Sequence, residues 1–236
     1  MNRILRMVLK NIFFVPGAWV KLCRYAKHPE RYEEAEMYGH IRTIMQRAVS
    51  SGNVDLQVYG AENIPEENGF LLCGNHQGLF DIVALVSDYK GPLAAVFKKE
   101  LANVPFIKQL IACSNSFSMD REDVRQSLTV IQAVTAELKK GRSYLIFPEG
   151  TRSKNGNVMG QFHGGSFRCA VKAKAPIVPF AFVDSFKVLD QKGSKKVRVQ
   201  LHYLPVIPYE EYKDMNTVEI ADMVKSRIQA VLDEYA

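Results

Sequence analysis

A histidine and an aspartate, five positions apart, form the first pair of side chains able to do chemistry. His76 and Asp81 lie in the segment NHQGLFD, directly after an apolar run that ends at Cys73. Gly78 gives the backbone between them freedom to turn, so Asp81, at the start of a predicted helix, can fold back toward His76. A carboxylate bound to one ring nitrogen fixes the tautomer and leaves the other nitrogen free as a base. The alternative is that Asp81 only caps a helix and His76 is a buried polar turn residue.

Charged side chains also lie at the ends of three further predicted strands. Two of these strand ends carry an arginine, whose planar guanidinium suits phosphate. One of the two, in the segment FPEGTRS, also has an acid, a glycine and a hydroxyl. A glycine there lets a ligand approach the backbone. The alternative is a set of ordinary turns with exposed ion pairs. The residues concerned are Lys99, Arg121, Glu149, Gly150, Thr151 and Arg152.

The elements that must position these residues alternate along the chain. Short apolar runs, of the kind buried in a sheet covered on both faces, are separated by helical patterns, which predicts one α/β domain with a mostly parallel or mixed seven-stranded sheet flanked by helices. A helix is predicted over 122–140, with Asp120 as its N-cap and Gly141 as its stop, another over 30–50 and a last one over 217–235. The predicted strands are 54–59, 69–73, 93–97, 116–119, 143–147, 177–183 and 196–203.

The charge of the chain indicates the kind of partner, and the motifs that are missing argue against several kinds of enzyme. The net charge of +6 and the isoelectric point of about 9.1 favour an anionic partner, such as nucleic acid, an acidic membrane surface or a phosphorylated molecule. The chain has no G-x-S-x-G elbow, Walker-type loop or H-E-x-x-H motif, which argues against a serine hydrolase of the α/β-hydrolase kind, a P-loop nucleotide site and a zinc site of that type. Four cysteines without a C-x-x-C pair indicate reduced thiols in a cytoplasmic setting.

The first 28 residues combine apolar and basic side chains. The longest stretch without a charge, residues 11–20, is half the length of about 20 residues that a spanning helix needs. We therefore expect two short helices, 2–14 and 18–27, hinged at Pro16-Gly17 and lying on a membrane surface with lysines and arginines toward anionic headgroups. The alternative is that their apolar residues dock on the protein's own core. A signal peptide fits less well, because Pro16-Gly17 breaks the apolar segment. Residues 29–236 would then form the α/β domain.

Four blocks of sequence carry a resemblance to a known family. NHQGLFD, FSMDR, FPEGTRS and APIVPF, in this order and spacing, resemble the signature motifs of glycerolipid acyltransferases, and most of all the bacterial lysophosphatidic acid acyltransferases (1-acyl-sn-glycerol-3-phosphate acyltransferases). The resemblance covers roughly residues 55–205, and the basic N-terminus also resembles that family's membrane-docking helices. One departure is Asn115, where the family's block often opens with glycine. Asparagine tolerates left-handed backbone, so we expect this turn to survive.

The resemblance implies a role for each matching residue. His76 would be the general base that takes the proton of the sn-2 hydroxyl as this oxygen attacks an acyl thioester, and Asp81 would orient His76. The product would be phosphatidic acid, a step of phospholipid biosynthesis. Acceptor-binding positions would be Arg121, Glu149, Gly150, Thr151 and Arg152, with Lys99 as a further phosphate ligand and residues 176–180 on the donor side.

The resemblance also implies partners and a location. The donor would be acyl-CoA or an acyl-acyl carrier protein, with no cofactor and no metal. The partners would be lysophosphatidic acid, the acyl donor and an anionic membrane surface, with no nucleic acid. We expect a peripheral or monotopic protein on the cytoplasmic face of the cell membrane.

Three alternatives remain at this point. The acceptor could be glycerol-3-phosphate or another lysophospholipid, with the same mechanism. The same His–Asp pair could instead hydrolyse a thioester or phospholipid with water. A peripheral lipid- or nucleic-acid-binding protein without chemistry would need neither His76 nor Asp81. No pattern in the sequence indicates the carrier of the acyl group, the acyl chain length, the donors that stabilise the oxyanion or the oligomeric state.

Overall fold

A seven-stranded sheet forms the centre of the computed structural model, which describes residues 2–235. Each of the seven predicted strands is present, and their boundaries agree with the prediction to within two residues. The strands are β1 (Val54–Tyr59), β2 (Leu71–Gly74), β3 (Leu93–Lys98), β4 (Phe117–Met119), β5 (Ser143–Ile146), β6 (Ile177–Val183) and β7 (Val197–Tyr203).

The sheet is mixed and mostly parallel, as predicted. Its order is β1-β7-β6-β2-β5-β3-β4, and the five strands from β6 to β4 run in the same direction, whereas β7 is antiparallel to β6 and parallel to β1. Cys73 near the end of β2 pairs with Ile146 at the end of β5, and Lys98 at the end of β3 pairs with Met119 at the end of β4. The segments that follow these four strands therefore leave the sheet at the same edge.

Helices cover both faces of the sheet, which explains why the central strands are continuous apolar runs. Successive residues of β2 alternate between two cores, with Leu71 in one and Leu72 in the other, both fully buried. The first core is closed by α6 (Val124–Lys139), α7 (Arg168–Ala173) and α10 (Thr217–Asp233). The second is closed by α2 (Val15–Lys27), α3 (Glu34–Ser51), α4 (Asp81–Asp88) and α5 (Ile107–Cys113). The remaining α-helices of the described residues are α1 (Arg3–Lys10), α8 (Phe186–Leu189) and α9 (Tyr209–Tyr212).

Two predicted helix boundaries are wrong. The N-terminal hinge lies at residues 11–14, and Pro16-Gly17 falls inside the first turn of α2. Proline is tolerated there because the first turn has no intrahelical acceptor for its missing N–H. The N-cap of α6 is Asp123, whose carboxylate accepts from the N–H groups of Arg125 (2.9 Å) and Gln126 (3.1 Å), and not Asp120.

Two arginines that were predicted to face lipid headgroups hold the first helix to the domain instead. Arg3 is buried and donates to the carbonyl of Gly52 (2.6 Å), and Arg6 donates to the carbonyl of Ser51 (3.1 Å). These carbonyls lie at the C-terminal end of α3, where the helix dipole favours a positive charge. The predicted orientation toward headgroups is therefore wrong for these two arginines.

The N-terminal helices bury some of their apolar side chains against the domain, which was the alternative to a membrane surface, and leave others exposed. Leu22 and Tyr25 of α2 are buried in the second core. None of the helices in residues 2–235 combines the length and apolarity that a membrane crossing requires. A set of apolar side chains remains exposed on α1, the turn and α2, and we call it the N-terminal apolar surface. It consists of Ile4, Leu5, Val8, Leu9, Ile12, Phe13, Val15, Trp19 and Val20.

The burial of α2 gives a prediction for stability. Leu22→Ala removes a fully buried side chain and leaves a cavity, so we expect the free energy of unfolding to fall by about 2–5 kcal/mol. Val20→Ala, at a side chain 67% exposed on the same helix, should change it by less than about 0.5 kcal/mol. Urea unfolding followed by circular dichroism measures both. Equal, small effects would contradict the packing of α2 on the core.

Candidate active site

The structure brings His76 and Asp81 into direct contact. The Nδ1 atom of His76 lies 2.7 Å from Oδ2 of Asp81. Asp81 is fully buried, whereas the side chain of His76 keeps 21% of its exposure. Because an ionised carboxylate only accepts hydrogen bonds, Nδ1 carries the proton and Nε2 holds the free lone pair. The imidazole is therefore set up to accept a proton at Nε2.

Asp81 is a buried carboxylate surrounded by donors. Its Oδ2 atom also accepts from the backbone N–H groups of Gln77 (2.7 Å) and Gly78 (3.0 Å), and its Oδ1 atom accepts from the hydroxyl of Ser185. The cap of α4 is Phe80, without a side-chain hydrogen bond, so Asp81 does more than cap a helix. These donors stabilise the negative charge that burial would otherwise disfavour.

Ser185 is held in turn by the loop that contains His76. It is fully buried and lies two residues after the end of β6. The Oε1 atom of Gln77 accepts from its backbone N–H (2.9 Å) and lies 3.1 Å from its hydroxyl oxygen. The hydroxyl has one proton and two neighbouring acceptors, and the charged carboxylate of Asp81 is the stronger of them. The amide of Gln77 then donates to the carbonyl of Phe182 (2.8 Å), which links the loop to the central sheet.

The loop after β5 holds His76 from the other side. The ring of Phe147 stacks on the imidazole, with centroids 4.0 Å apart and planes 15° apart. Glu149 is buried, and its two oxygens accept from the backbone N–H groups of His76 (2.7 Å) and Gly160 (2.8 Å). The N–H of Ser153 donates to the carbonyl of His76 (2.8 Å). Burial raises the pKa of Glu149.

A cleft of about 600 Å³ opens beside Phe147, the residue that stacks on His76. Four of the predicted site residues line it, namely Arg121, Glu149, Gly150 and Thr151. Much of the remaining lining is apolar and comes from β3, β4, β5 and α6. These apolar residues are Val96, Met119, Val124, Leu128, Ile131 and Ile146. The cleft can thus hold a molecule with both an anionic and an aliphatic part.

Two predicted phosphate ligands do not line this cleft. Lys99 is exposed and pairs with Asp120, with Nζ 3.0 Å from Oδ2. Arg152 pairs with Asp190 (2.5 Å) and lines a neighbouring cleft of about 380 Å³. The second oxygen of Asp190 accepts from the backbone N–H of Leu79 (3.0 Å). Arg152 thereby contacts the loop of His76 through Asp190.

Two positions in these loops depend on the backbone. Gly150 and Asn115 both have left-handed conformations, with φ of 68° and 51°, so the expectation that asparagine preserves the turn at 115 is confirmed. Gly78 was predicted to give the backbone freedom to turn, but the structure shows that the position requires glycine for lack of space. A Cβ there would lie 2.4 Å from Oδ2 of Asp190, so a side chain would displace Asp190.

Several lining residues had no signal in the sequence. His163 and Arg168 lie in the cleft, together with Ser127, Gly165 and Ser166. They come from α6 and from the segment around α7, outside the four motifs, and only the fold brings them to Gly150. Ser185 follows β6 by two residues and was missed because nothing in its local pattern differs from an ordinary turn serine.

No cluster of histidine, cysteine, aspartate or glutamate in residues 2–235 has the arrangement of a metal site. The four cysteines are free thiols. Burial raises the pKa of Cys113 to about 11, so this thiol is protonated at neutral pH.

Comparison with proteins of known structure supports the fold. The solved structure of the 1-acyl-sn-glycerophosphate (LPA) acyltransferase PlsC from Thermotoga maritima superimposes with a TM-score of 0.75 and 21% sequence identity. The match covers 98% of this chain and 96% of that one.

Sequence comparison finds relatives named 1-acyl-sn-glycerol-3-phosphate acyltransferase. The protein from Borreliella burgdorferi is 24% identical over 81% of this chain and 78% of its own length, and that from Helicobacter pylori is 32% identical over 52% of each chain. The relative from Salmonella typhimurium is 29% identical over 68% of this chain and 65% of its own length. The family model described as Acyltransferase matches residues 55–183, from β1 to the end of β6, with both catalytic candidates inside. This match covers more than half of the 236 residues, and the chain therefore belongs to the Acyltransferase family.

Proposed function

We propose that this protein transfers a fatty-acyl group from a thioester to the sn-2 hydroxyl of lysophosphatidic acid, giving phosphatidic acid. The observation that carries the proposal is the 2.7 Å contact between His76 and Asp81 beside a cleft with both arginine and aliphatic lining. The names of the relatives support the same acceptor.

In the proposed mechanism, His76 acts as the general base. Nε2 takes the proton of the acceptor hydroxyl as its oxygen bonds to the thioester carbonyl, and Asp81 stabilises the resulting imidazolium. The tetrahedral intermediate then collapses, the carbon–sulfur bond breaks, and the imidazolium returns its proton to the leaving thiolate. A positioned general base contributes on the order of 10² to 10⁴ in rate. A protein nucleophile is unnecessary because the acceptor provides the attacking oxygen.

The acceptor's phosphate and glycerol are assigned to the motif residues that line the cleft. Arg121 would bind phosphate, and the exposed backbone at Gly150 and Thr151 would allow close approach of the glycerol. Lys99 and Arg152 remain further proposed phosphate ligands, and each would have to exchange its aspartate partner for phosphate. The proposed donor is acyl-CoA or an acyl-acyl carrier protein, with residues 176–180 on the donor side.

The proposed function predicts the effect of removing the base. His76→Ala should lower kcat for acyl transfer to lysophosphatidic acid by about 10² to 10⁴, because no other group replaces Nε2. The measurement is mass spectrometry of products with acyl-CoA and acyl-acyl carrier protein as donors. The acceptors are lysophosphatidic acid, glycerol-3-phosphate, another lysophospholipid and water.

The same panel separates the alternatives. A higher rate with glycerol-3-phosphate or another lysophospholipid would change the acceptor, and release of free fatty acid without acylated product would indicate hydrolysis. Full activity of His76→Ala would contradict the mechanism. His202→Ala, at a histidine on β7 outside the site, serves as the control.

Glu149 gives a prediction that separates positioning from substrate binding. In Glu149→Gln, one acceptor oxygen becomes an NH₂ group facing a backbone N–H, so the support of His76 weakens. We expect kcat to fall by about 5- to 100-fold with little change in KM for the acceptor, the size expected when a buried polar group loses its partner. A rise in KM at constant kcat would indicate instead that Glu149 binds the acceptor directly. Glu210→Gln, at an exposed glutamate, is the control.

The pH dependence of Glu149→Gln follows from the same contact. Burial raises the pKa of Glu149, so the native side chain gains a proton at a higher pH than an ordinary glutamate does. A protonated Glu149 resembles glutamine, so kcat of the native protein and kcat of Glu149→Gln should converge as pH falls. Because the folded state holds this proton more tightly than the unfolded chain, ionisation of Glu149 opposes stability as pH rises. Protonation of Glu149 therefore does not unfold the protein, and unfolding through this group does not explain a loss of native activity at low pH. A constant ratio of the native and variant kcat values at all pH values would contradict the proposed role of the Glu149 carboxylate.

We further propose that the N-terminal apolar surface rests on the cytoplasmic face of an anionic membrane, as in a peripheral or monotopic protein. Its most exposed members are Phe13 (98%) and Val20 (67%). Basic side chains that remain exposed beside it would meet lipid headgroups. They are Lys10, Lys21, Arg24 and Lys27.

The membrane proposal predicts a loss of vesicle binding. The double variant Phe13→Ser and Val20→Ser removes two apolar side chains, each worth about 1.5–3 kcal/mol when fully buried, so the partition coefficient should fall at least tenfold. Cosedimentation with phosphatidylglycerol and phosphatidylcholine vesicles measures it. Val218→Ser, at a similarly exposed valine on α10, should bind as the native protein does. Unchanged binding of the double variant would contradict the proposed surface.

A further inference from the structure

Three cationic or titratable side chains line the same cleft. Arg121 follows β4, His163 precedes the short turn that leads into α7, and Arg168 is the first residue of α7. Of these, only Arg121 belongs to a motif that the sequence analysis had singled out. His163 and Arg168 are separated from it by more than forty positions along the chain.

Neither arginine lies within ion-pair distance of an acidic side chain in the described part of the chain, although Glu100 is close enough to Arg121 to act on its charge. Among residues 2–235, the one acidic residue of the cleft lining, Glu149, accepts from two backbone N–H groups. Lys99 and Arg152, by contrast, each have an aspartate within 3.0 Å. Within the residues that the structure describes, the positive charges of Arg121 and Arg168 are thus not neutralised by an ion pair.

The loop geometry brings two of these groups, Arg121 and His163, together beside Gly150. A Cβ built on Gly150 would lie 3.5 Å from Cδ2 of His163 and 3.8 Å from Cδ of Arg121, so the glycine is flanked by both side chains. The N–H of His163 donates to the carbonyl of Pro148 (2.9 Å), which fixes that residue on the β5 loop. Arg168 is exposed at the first position of α7, between the buried residues Phe167 and Cys169, and its side chain lines the same cleft.

The rest of the lining suits an aliphatic chain. Ile131 of α6 and Ile146 of β5 are buried at the cleft wall, and Leu128 and Val124 continue this apolar wall toward solvent. A ligand with a phosphomonoester at one end and an acyl chain at the other would satisfy both parts. At neutral pH a phosphomonoester carries about 1.5 to 2 negative charges, which two arginines can bind bidentately.

We propose that His163 and Arg168, together with Arg121, form the binding site for the phosphate of the acyl acceptor. This inference rests on the proposed function and adds to it two residues outside the motifs. Arg168 contributes binding energy and orientation at a distance from the reacting hydroxyl, which helps to bring that hydroxyl to His76.

The test compares acceptors with and without phosphate. Arg168→Gln should raise KM for lysophosphatidic acid by about ten- to a hundredfold, the range expected for a hydrogen bond to a charged group. The rate with monoacylglycerol, which lacks phosphate, should be the same for the native protein and the variant. Arg168→Lys should recover part of the loss because it keeps the charge but not the planar fork. His163→Gln should also raise KM for lysophosphatidic acid and not for monoacylglycerol.

A matched control is available on the neighbouring helix. Arg125→Gln removes an exposed arginine of α6 that does not line the cleft, and KM should not change. If the native protein prefers lysophosphatidic acid but Arg168→Gln and His163→Gln leave its KM unchanged, this inference is wrong while the proposed function stands. If the native protein shows no preference for lysophosphatidic acid over monoacylglycerol, the proposed acceptor fails first.

Discussion

A buried carboxylate determines how the candidate active site is built. Asp81 is fully enclosed, and an ionised carboxylate in such a place is stable only when donors surround it. The imidazole of His76, two backbone N–H groups and the hydroxyl of Ser185 provide these donors. Because three of the four donors belong to residues 76–78, the loop has to fold around the carboxylate. The same contacts that stabilise Asp81 therefore fix the position of the imidazole.

The parallel strands explain how residues far apart in sequence reach this carboxylate. β2 lies between β5 and β6, and the chain leaves all three at the same edge of the sheet. His76 follows β2, Glu149 follows β5, and Ser185 follows β6, so each contacts the site from a different loop. This is the usual position for chemistry in open α/β sheets. The cleft opens at that edge, where residues at the ends of β3, β4 and β5 line it together with residues of α6.

The sequence predicted those features that depend on residues close together in the chain. Strands such as 177–183 are runs of apolar residues, and the fully buried environment that such runs indicate is what the structure has. The contact of His76 with Asp81 was predictable because both lie in one short loop. The position of the hinge near Pro16 was not, since proline fits the first turn of a helix as well as a break. The roles of three further residues depend on partners that are distant in the chain, and the local sequence around a residue does not show such partners. These residues are His163, Arg168 and Ser185.

The carboxylate of Glu149 has a consequence for how ligands come and go. It joins the backbone of His76 to that of Gly160, and Ser153 adds a second tie between the same two loops. Outward movement of either loop would carry the imidazole away from Asp81. We therefore expect ligands to enter the cleft past the first turns of α6, which also line it. There Val124 is 71% exposed and Leu128 is 40% exposed, and neither side chain contacts His76 or Asp81 through a hydrogen bond.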